Sequence, residues 1–190
     1  MKHYAILMLC TLLTACATSQ PSHVALNPTL GVINQQPSML TPLRIETIDI
    51  RKANFIVRIH QSNGAAAKLI SPSEPVRQQL DEVFRQGLIV AGYSTSANAS
   101  QSVQFQLDTL LTDVTETTFG YEAKTQVTFN VIAKSNTLEF TKIFNGRSTL
   151  TGPFSSDFAT LELDINSLLD KLTTEILNDA ELHQFIQNNH

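Results

Sequence analysis

The residue with the clearest chemistry in this chain is Cys16, and its neighbours say what that chemistry is. A thiolate is a strong nucleophile, and this thiol stands at the end of Leu13-Thr14-Ala15-Cys16. Ahead of it lie an apolar run from Tyr4 to Leu13 and one early cation, Lys2. As a helix that run reaches about 15 Å, half of a bilayer core of roughly 30 Å, so it reads as the core of an export signal and not as a span. Elsewhere the groups that could do chemistry do not converge. His3 falls in the signal, His23 in a proline-rich stretch, and His190 is the last residue. His60, at a strand end beside a turn, and His183, on the polar side of the final helix, are both expected to be solvated. Asp81 and Glu82 are adjacent on a helix and point in different directions. Asp108, Asp113, Glu116 and Glu122 fall on strands or turns where solvent-facing positions explain them. There is no Gly-x-Ser-x-Gly elbow, P-loop, His-Glu-x-x-His, cysteine cluster or histidine pair at helical spacing. No catalytic, cofactor or metal site is expected, and the chain reads as a non-enzyme.

The four residues ending at Cys16 resemble the lipobox of bacterial lipoproteins: Leu at −4, small residues at −2 and −1, Cys at +1. That resemblance implies cleavage between Ala15 and Cys16, a diacylglycerol on the thiol and an acyl chain on the freed amino group. Two or three chains anchor firmly where one holds only marginally. Ala17-Thr18 resembles the outer-membrane default, since Asp in that place marks inner-membrane retention. The expected location is therefore the inner leaflet of the outer membrane, facing the periplasm.

Thirteen Lys and Arg stand against 17 Asp and Glu, a formal charge of −4, and the cations are scattered. No basic stripe follows a phosphate backbone, so nucleic acid is not expected as a partner. Of the two cysteines, Cys10 leaves with the signal and Cys16 carries lipid, so no disulfide can form and packing alone must stabilise the domain. The reading divides the chain into a signal peptide (1–15), a lipidated N-terminus with an extended tether (16–42) and a single periplasmic domain (43–190). Proline with small polar residues favours solvated, extended chain in the tether. Apolar Val24-Ala25-Leu26 and Val32-Ile33 leave open whether part of it lies on the domain.

The elements that hold the domain together follow from periodicity. Leu43 to Ile50 alternates with one slip of phase, predicting one strand with a bulge or two short strands. Phe55 to Ile59 is a second strand, closed by Ser62-Asn63-Gly64. Val76, Leu80, Val83, Phe84, Leu88 and Ala91 make one helical stripe, with Ser73 as cap, Pro75 in the first turn and Gly92 as stop. Three strands follow. The first has Val103, Phe105, Leu107, Thr109 and Leu111 on one face. The second runs from Tyr121 to Ala133, and Leu138, Phe140 and Phe144 begin a third after a Ser135-Asn136 turn, with Gly152-Pro153 ending the sheet region. A long final helix starts near Ser156 with Leu161, Ile165, Leu168, Leu169, Leu172 and Ile176 inward, and Leu182, Phe185 and Ile186 add a turn or two. The expected fold is α+β, a mainly antiparallel sheet of about five strands with two helices on one face, in the order ββαβββα. Residues 157–181 carry Asp157, Glu162, Asp164, Asp170, Glu175, Asp179 and Glu181 against Lys171 alone. A solvated outer face is the simpler account, and an acidic surface for a basic partner is the sharper one.

Several short stretches in order resemble the YajG-like family of small uncharacterised proteobacterial lipoproteins. They are Leu26-Asn27-Pro28, Gln35-Gln36-Pro37-Ser38, Ala91-Gly92-Tyr93, Gly120-Tyr121, Phe154 and Leu182-His183-Gln184-Phe185-Ile186-Gln187-Asn188. Where that family often has a basic residue before Gly-Tyr, this chain has Val90-Ala91. The family has no established active site, so the resemblance carries over only Cys16. Two readings of function result. One is a non-enzymatic accessory or scaffold lipoprotein that binds another envelope protein. The other is a ligand-binding or hydrolytic domain acting on peptidoglycan fragments or lipids. An open sheet edge or flat apolar patch would favour the first, and a concave apolar pocket with a few converging polar groups the second.

Overall fold

Strict alternation over long stretches builds the centre of the molecule. In the computed structural model, which describes residues 23–36, 42–136 and 138–189, three sixteen-residue strands lie side by side: β6 (Gln101–Glu116), β7 (Gly120–Ser135) and β8 (Leu138–Pro153). β6 and β7 pair antiparallel from end to end, as do β7 and β8. The inward positions Ala123, Thr125, Val127, Phe129, Val131 and Ala133 of β7 are buried, as the alternation requires.

The remaining strands are short and join mostly at the other edge of β6. They are β1 (His23–Val24), β2 (Pro42–Asp49), β3 (Val57–His60), β4 (Lys68–Pro72) and β5 (Ser94–Thr95). β2 pairs parallel with the first half of β6, up to Asp49 opposite Leu107, and β3 pairs parallel with the second half, from Val57 opposite Thr112. β4 is antiparallel to β3, and β1 and β5 add parallel to β4 and β2. The fold is α+β, but the sheet has eight strands and is mixed, not a mainly antiparallel sheet of about five. Parallel partners follow from the crossover through helix α1 (Val76–Val90): a strand that returns after a helix enters in the same direction. β1, β4 and β5 are too short or too polar to show a period of two.

A bulge corrects two expectations together. The β6–β7 register slips between Leu107 and Thr109, so Asp108 is the extra residue and every later side chain changes face. Leu110, Thr112 and Val114 are buried beyond it, in place of the expected Thr109 and Leu111. β2, where a bulge or a break was expected, runs uninterrupted, with Leu43, Ile45 and Thr47 inward and Ile50 left half-exposed.

Helices α1, α2 (Phe158–Leu177) and α3 (Ala180–Asn188) cover one face. Phe84 of α1 stacks on Phe105 with centroids 3.9 Å apart and meets Phe129 edge-on at 5.5 Å, which makes this trio the centre of the core. Gly87 brings α1 close to α2, since a Cβ there would run into Leu177. The predicted stripes of α1 and α2 are all buried. Ser73 does not cap α1; Pro75 occupies the cap position with no side-chain bond. The final helix divides at Asn178, because the Asp179 carboxylate accepts from the Leu182 amide and starts α3. Cys16 and its lipobox, Leu13, Thr14 and Ala15, lie outside the described residues, as do Ala17 and Thr18.

Candidate functional site

The most organised polar constellation is on α2, and its partner is the chain's own N-terminal segment. Residues 23–36, expected within the tether, are extended but lie on the domain. Val24 and Leu26 are buried and belong to the core. The intervening amides face α2: Ala25 donates to Glu162 Oε2 at 2.9 Å, Asn27 to Asn166 Oδ1 at 2.8 Å, and Thr29 to Asp170 Oδ1 at 2.7 Å. Four helical residues rise about 6.0 Å and two extended residues about 6.6 Å, so every fourth side chain meets every second amide. Gly31 continues the series, since a Cβ there would come within 2.5 Å of Thr174 Oγ1. The last rung takes one extra residue of the segment. Asn178 accepts from the Asn34 amide and donates to the Val32 carbonyl, both at 2.8 Å.

This ladder explains much of the acidity of the last helices, and neither account offered by the sequence included it. Asp157 caps α2 through the Thr160 amide. Asp164 accepts from Ser148 at 2.6 Å and Thr125 at 3.0 Å, tying α2 to the sheet. Lys142 bridges Asp179 at 2.6 Å and Glu181 at 2.8 Å, and the two carboxylates hold its ammonium pKa above the usual value. The signal was present as Glu162, Asn166, Asp170, Thr174 and Asn178 at spacing four, beside a segment apolar at 24 and 26.

His183 is buried, not solvated. Its Nε2 lies 2.8 Å from the Leu177 carbonyl and its Nδ1 2.8 Å from the Tyr93 hydroxyl. A carbonyl can only accept, so Nε2 carries the proton and Nδ1 accepts from Tyr93. Burial lowers the pKa of the imidazole and pushes the Tyr93 phenol up to about 12. With both nitrogens used, the ring is a strut between α3, the end of α2 and the turn after α1. The helix was assigned correctly, but its buried face is wider than the Leu182–Ile186 stripe.

His60 is exposed, with Nε2 2.9 Å from Asp113 Oδ1. Arg58 binds the same carboxylate at 2.5 Å and, chiefly through that hydrogen bond, holds its pKa below the usual carboxylate range. Among the described residues no hydroxyl or thiol bonds the imidazole, so the pair lacks a nucleophile to activate. Asp81 pairs with Arg85 at 2.8 Å and Glu82 with Gln86 at 3.0 Å, both within α1. No group of three or more His, Cys, Asp or Glu among the described residues could hold a metal.

β2 and β3 share one edge of β6 and part at the Asp108 bulge, opening a cleft of about 440 Å³ between residues 50–55 and 108–111. Ile50, Phe55, Leu110 and Leu111 line it together with Arg51. The Arg51 side chain is 8% exposed and forks onto Asp49 at 2.7 and 2.9 Å, while its Nη1 has no partner.

Residues 28–187 match the model of a family described as an uncharacterised lipoprotein. The uncharacterised lipoprotein YajG of Escherichia coli K12 is 23% identical over 180 residues, 94% of this chain and 92% of that protein. The same protein of Escherichia coli O6:H1 matches equally. Among solved structures, a Xanthomonas campestris protein is 12% identical and superposes with a TM-score of 0.54, covering 87% of this chain and 99% of that one. The last likeness concerns the fold alone.

Proposed function

The chain belongs to this family of uncharacterised lipoproteins, and from that premise we propose that it is a non-enzymatic accessory module anchored to the outer membrane through lipid on Cys16. Facing the periplasm, it binds another envelope protein. The observation that carries the reading is the outer edge of β8. This sixteen-residue strand pairs with β7 alone among the described residues. Its backbone groups are therefore free to add a strand from a partner. Ile143, midway along it, is 59% exposed between the exposed residues Thr141 and Asn145. A photo-crosslinking residue placed in living cells at Thr141, Ile143 or Asn145 should capture one discrete envelope protein. Ile143→Lys, which puts a charge on the edge, should abolish capture by a probe at Asn145 while the protein stays folded and lipidated. Absence of any crosslink at all three positions would overturn the reading.

The cleft at the strand fork supports the second reading, of a ligand-binding domain. Its volume suits a small molecule, and its apolar walls beside a buried guanidinium suit an amphiphile with an acidic head. Lys52, Asp108 and Thr109 also line it, and the reading concerns binding. Titration of the protein with a medium-chain fatty acid, followed by amide shifts at residues 50–55 and 108–111, tests it.

A further inference from the structure

The chain leaves the described structure at His23 in a definite direction. β1 runs parallel to β4, with His23 opposite Ser71. β4 is antiparallel to β3, and β3 is parallel to β6. The chain therefore enters β1 from the end of the sheet where β6 finishes and the β6–β7 turn lies. α2 agrees. The docked segment follows that helix from Glu162 toward Asn178, so its upstream end points to the start of α2. There Lys68, which opens β4, lies 5.8 Å from the Phe158 ring.

The reach of residues 16–22 then places the membrane. Ser71 follows Ile70, which is level with Val57 and Thr112. From there to the end of β6 is about five residues of strand, roughly 17 Å. The seven residues from Cys16 to His23 extend at most about 25 Å. The far end of the β7–β8 hairpin lies about 36 Å from His23 along the sheet, beyond that reach. Lipid on Cys16 thus keeps the bilayer near the end of the domain that carries the β6–β7 turn.

That end presents two bare aromatic rings. Phe119 is 87% exposed and Phe154 78%, and the Phe154 amide donates to the Phe119 carbonyl at 3.2 Å. Phe154 holds φ at +63°, a conformation that is costly for a bulky residue and persists only when its surroundings enforce it. The turn is braced, since the Thr117 hydroxyl donates to the Gly120 carbonyl at 2.9 Å and the Gly120 amide returns a bond at 3.2 Å. Nearby charges are closed: Lys124 pairs with Glu122 at 2.7 Å, and Glu116 accepts from Ser156. Among the described residues the cations at this end each face a carboxylate or a ring, Arg58 on Asp113, Lys124 on Glu122 and Lys68 on Phe158, so they form no open patch for anionic headgroups.

We propose that this tip is a membrane-contact surface: Phe119 and Phe154 enter the headgroup–acyl boundary of the bilayer that holds the lipid, and zwitterionic lipid suffices. The inference rests on the lipid anchor proposed above. It makes the domain stand on the membrane by two attachments, lipid and aromatic tip, with β6–β8 upright.

The lipidated full-length protein in phosphatidylethanolamine–phosphatidylcholine vesicles tests this. Lipid occupies the Cys16 thiol, so Thr118→Cys offers a free thiol for an environment-sensitive dye. The dye should shift blue and be quenched by brominated lipid several-fold more than the same dye at Leu138→Cys, at the far end. Adding Phe119→Ser and Phe154→Ser, at positions too exposed to unfold the domain, should reduce quenching at 118 to the level at 138. Equal quenching at the two sites, or quenching that survives the double substitution, overturns the proposal. Shielding at 118 that needs added envelope protein overturns it in favour of a protein partner. Failure of the anchor itself would appear separately, as Cys16 that takes up no palmitate analogue.

Discussion

Burial lowers the His183 pKa against the opposing pull of the Leu177 carbonyl and the Asp179 charge, and the consequence for stability has a definite sign. The folded protein holds the imidazole below its ordinary pKa, whereas the unfolded chain titrates it near about 6.5. Stability from this group is complete above the unfolded value and declines as pH falls below it, because the unfolded state then binds the extra proton. The melting temperature should therefore fall between pH 7.5 and pH 5. His183→Gln should lower stability at pH 7.5 by about 1–3 kcal/mol by leaving Tyr93 or the Leu177 carbonyl without its partner. It should also flatten the pH slope, and thermal melts across that range read both effects. A variant as pH-sensitive as the wild type would refute the neutral strut.

The docked segment and α2 form one device at the scale of elements. Its hydrogen bonds are exposed and individually small, about 0.5–1.5 kcal/mol each, so they set register more than stability. Asn166→Ala with Asp170→Ala removes four of these bonds and should lower the melting temperature by a few degrees. The same pair should speed hydrogen exchange at Ala25, Asn27 and Thr29 and spare amides in β6 and β7. Gly31→Val should do more, because its side chain would overlap Thr174. Unchanged exchange in the double variant would mean that burial of Val24 and Leu26 alone holds the segment.

Across the whole molecule, the domain extends upstream of the first long strand. Val24 and Leu26 fill the core under α1 and α2, and burying such side chains stabilises by about 1.5–3 kcal/mol each. A chain starting at residue 37 should melt well below one starting at residue 23. Both should be indifferent to reductant, because Cys10 and Cys16 precede either start. Equal melting temperatures would return residues 23–36 to the role of a free spacer. Under the lipid anchor proposed above, docking of residues 23–36 leaves the residues from Cys16 to His23 to bridge the domain and the bilayer.

What the sequence determined by itself was local and periodic. The stripes of α1 and α2, the alternation of β7, and the Ser135-Asn136 turn, with Asn136 at φ +45°, each repeat a pattern within one element. Each is fixed by which side of that element must leave water. The resemblance to a lipobox also rests on four adjacent residues behind an apolar run, and it falls outside the described residues. Tertiary structure decided whatever depended on a neighbour distant in sequence. The bulge at Asp108 is imposed by pairing with β7, and parallel entry of β2 and β3 by the crossover through α1. The burial of His183 depends on Tyr93, ninety residues away, and the purpose of Glu162 and Asp170 on a segment more than 130 residues upstream. A side chain's period reports the face it lies on, but only the folded chain supplies what that face meets.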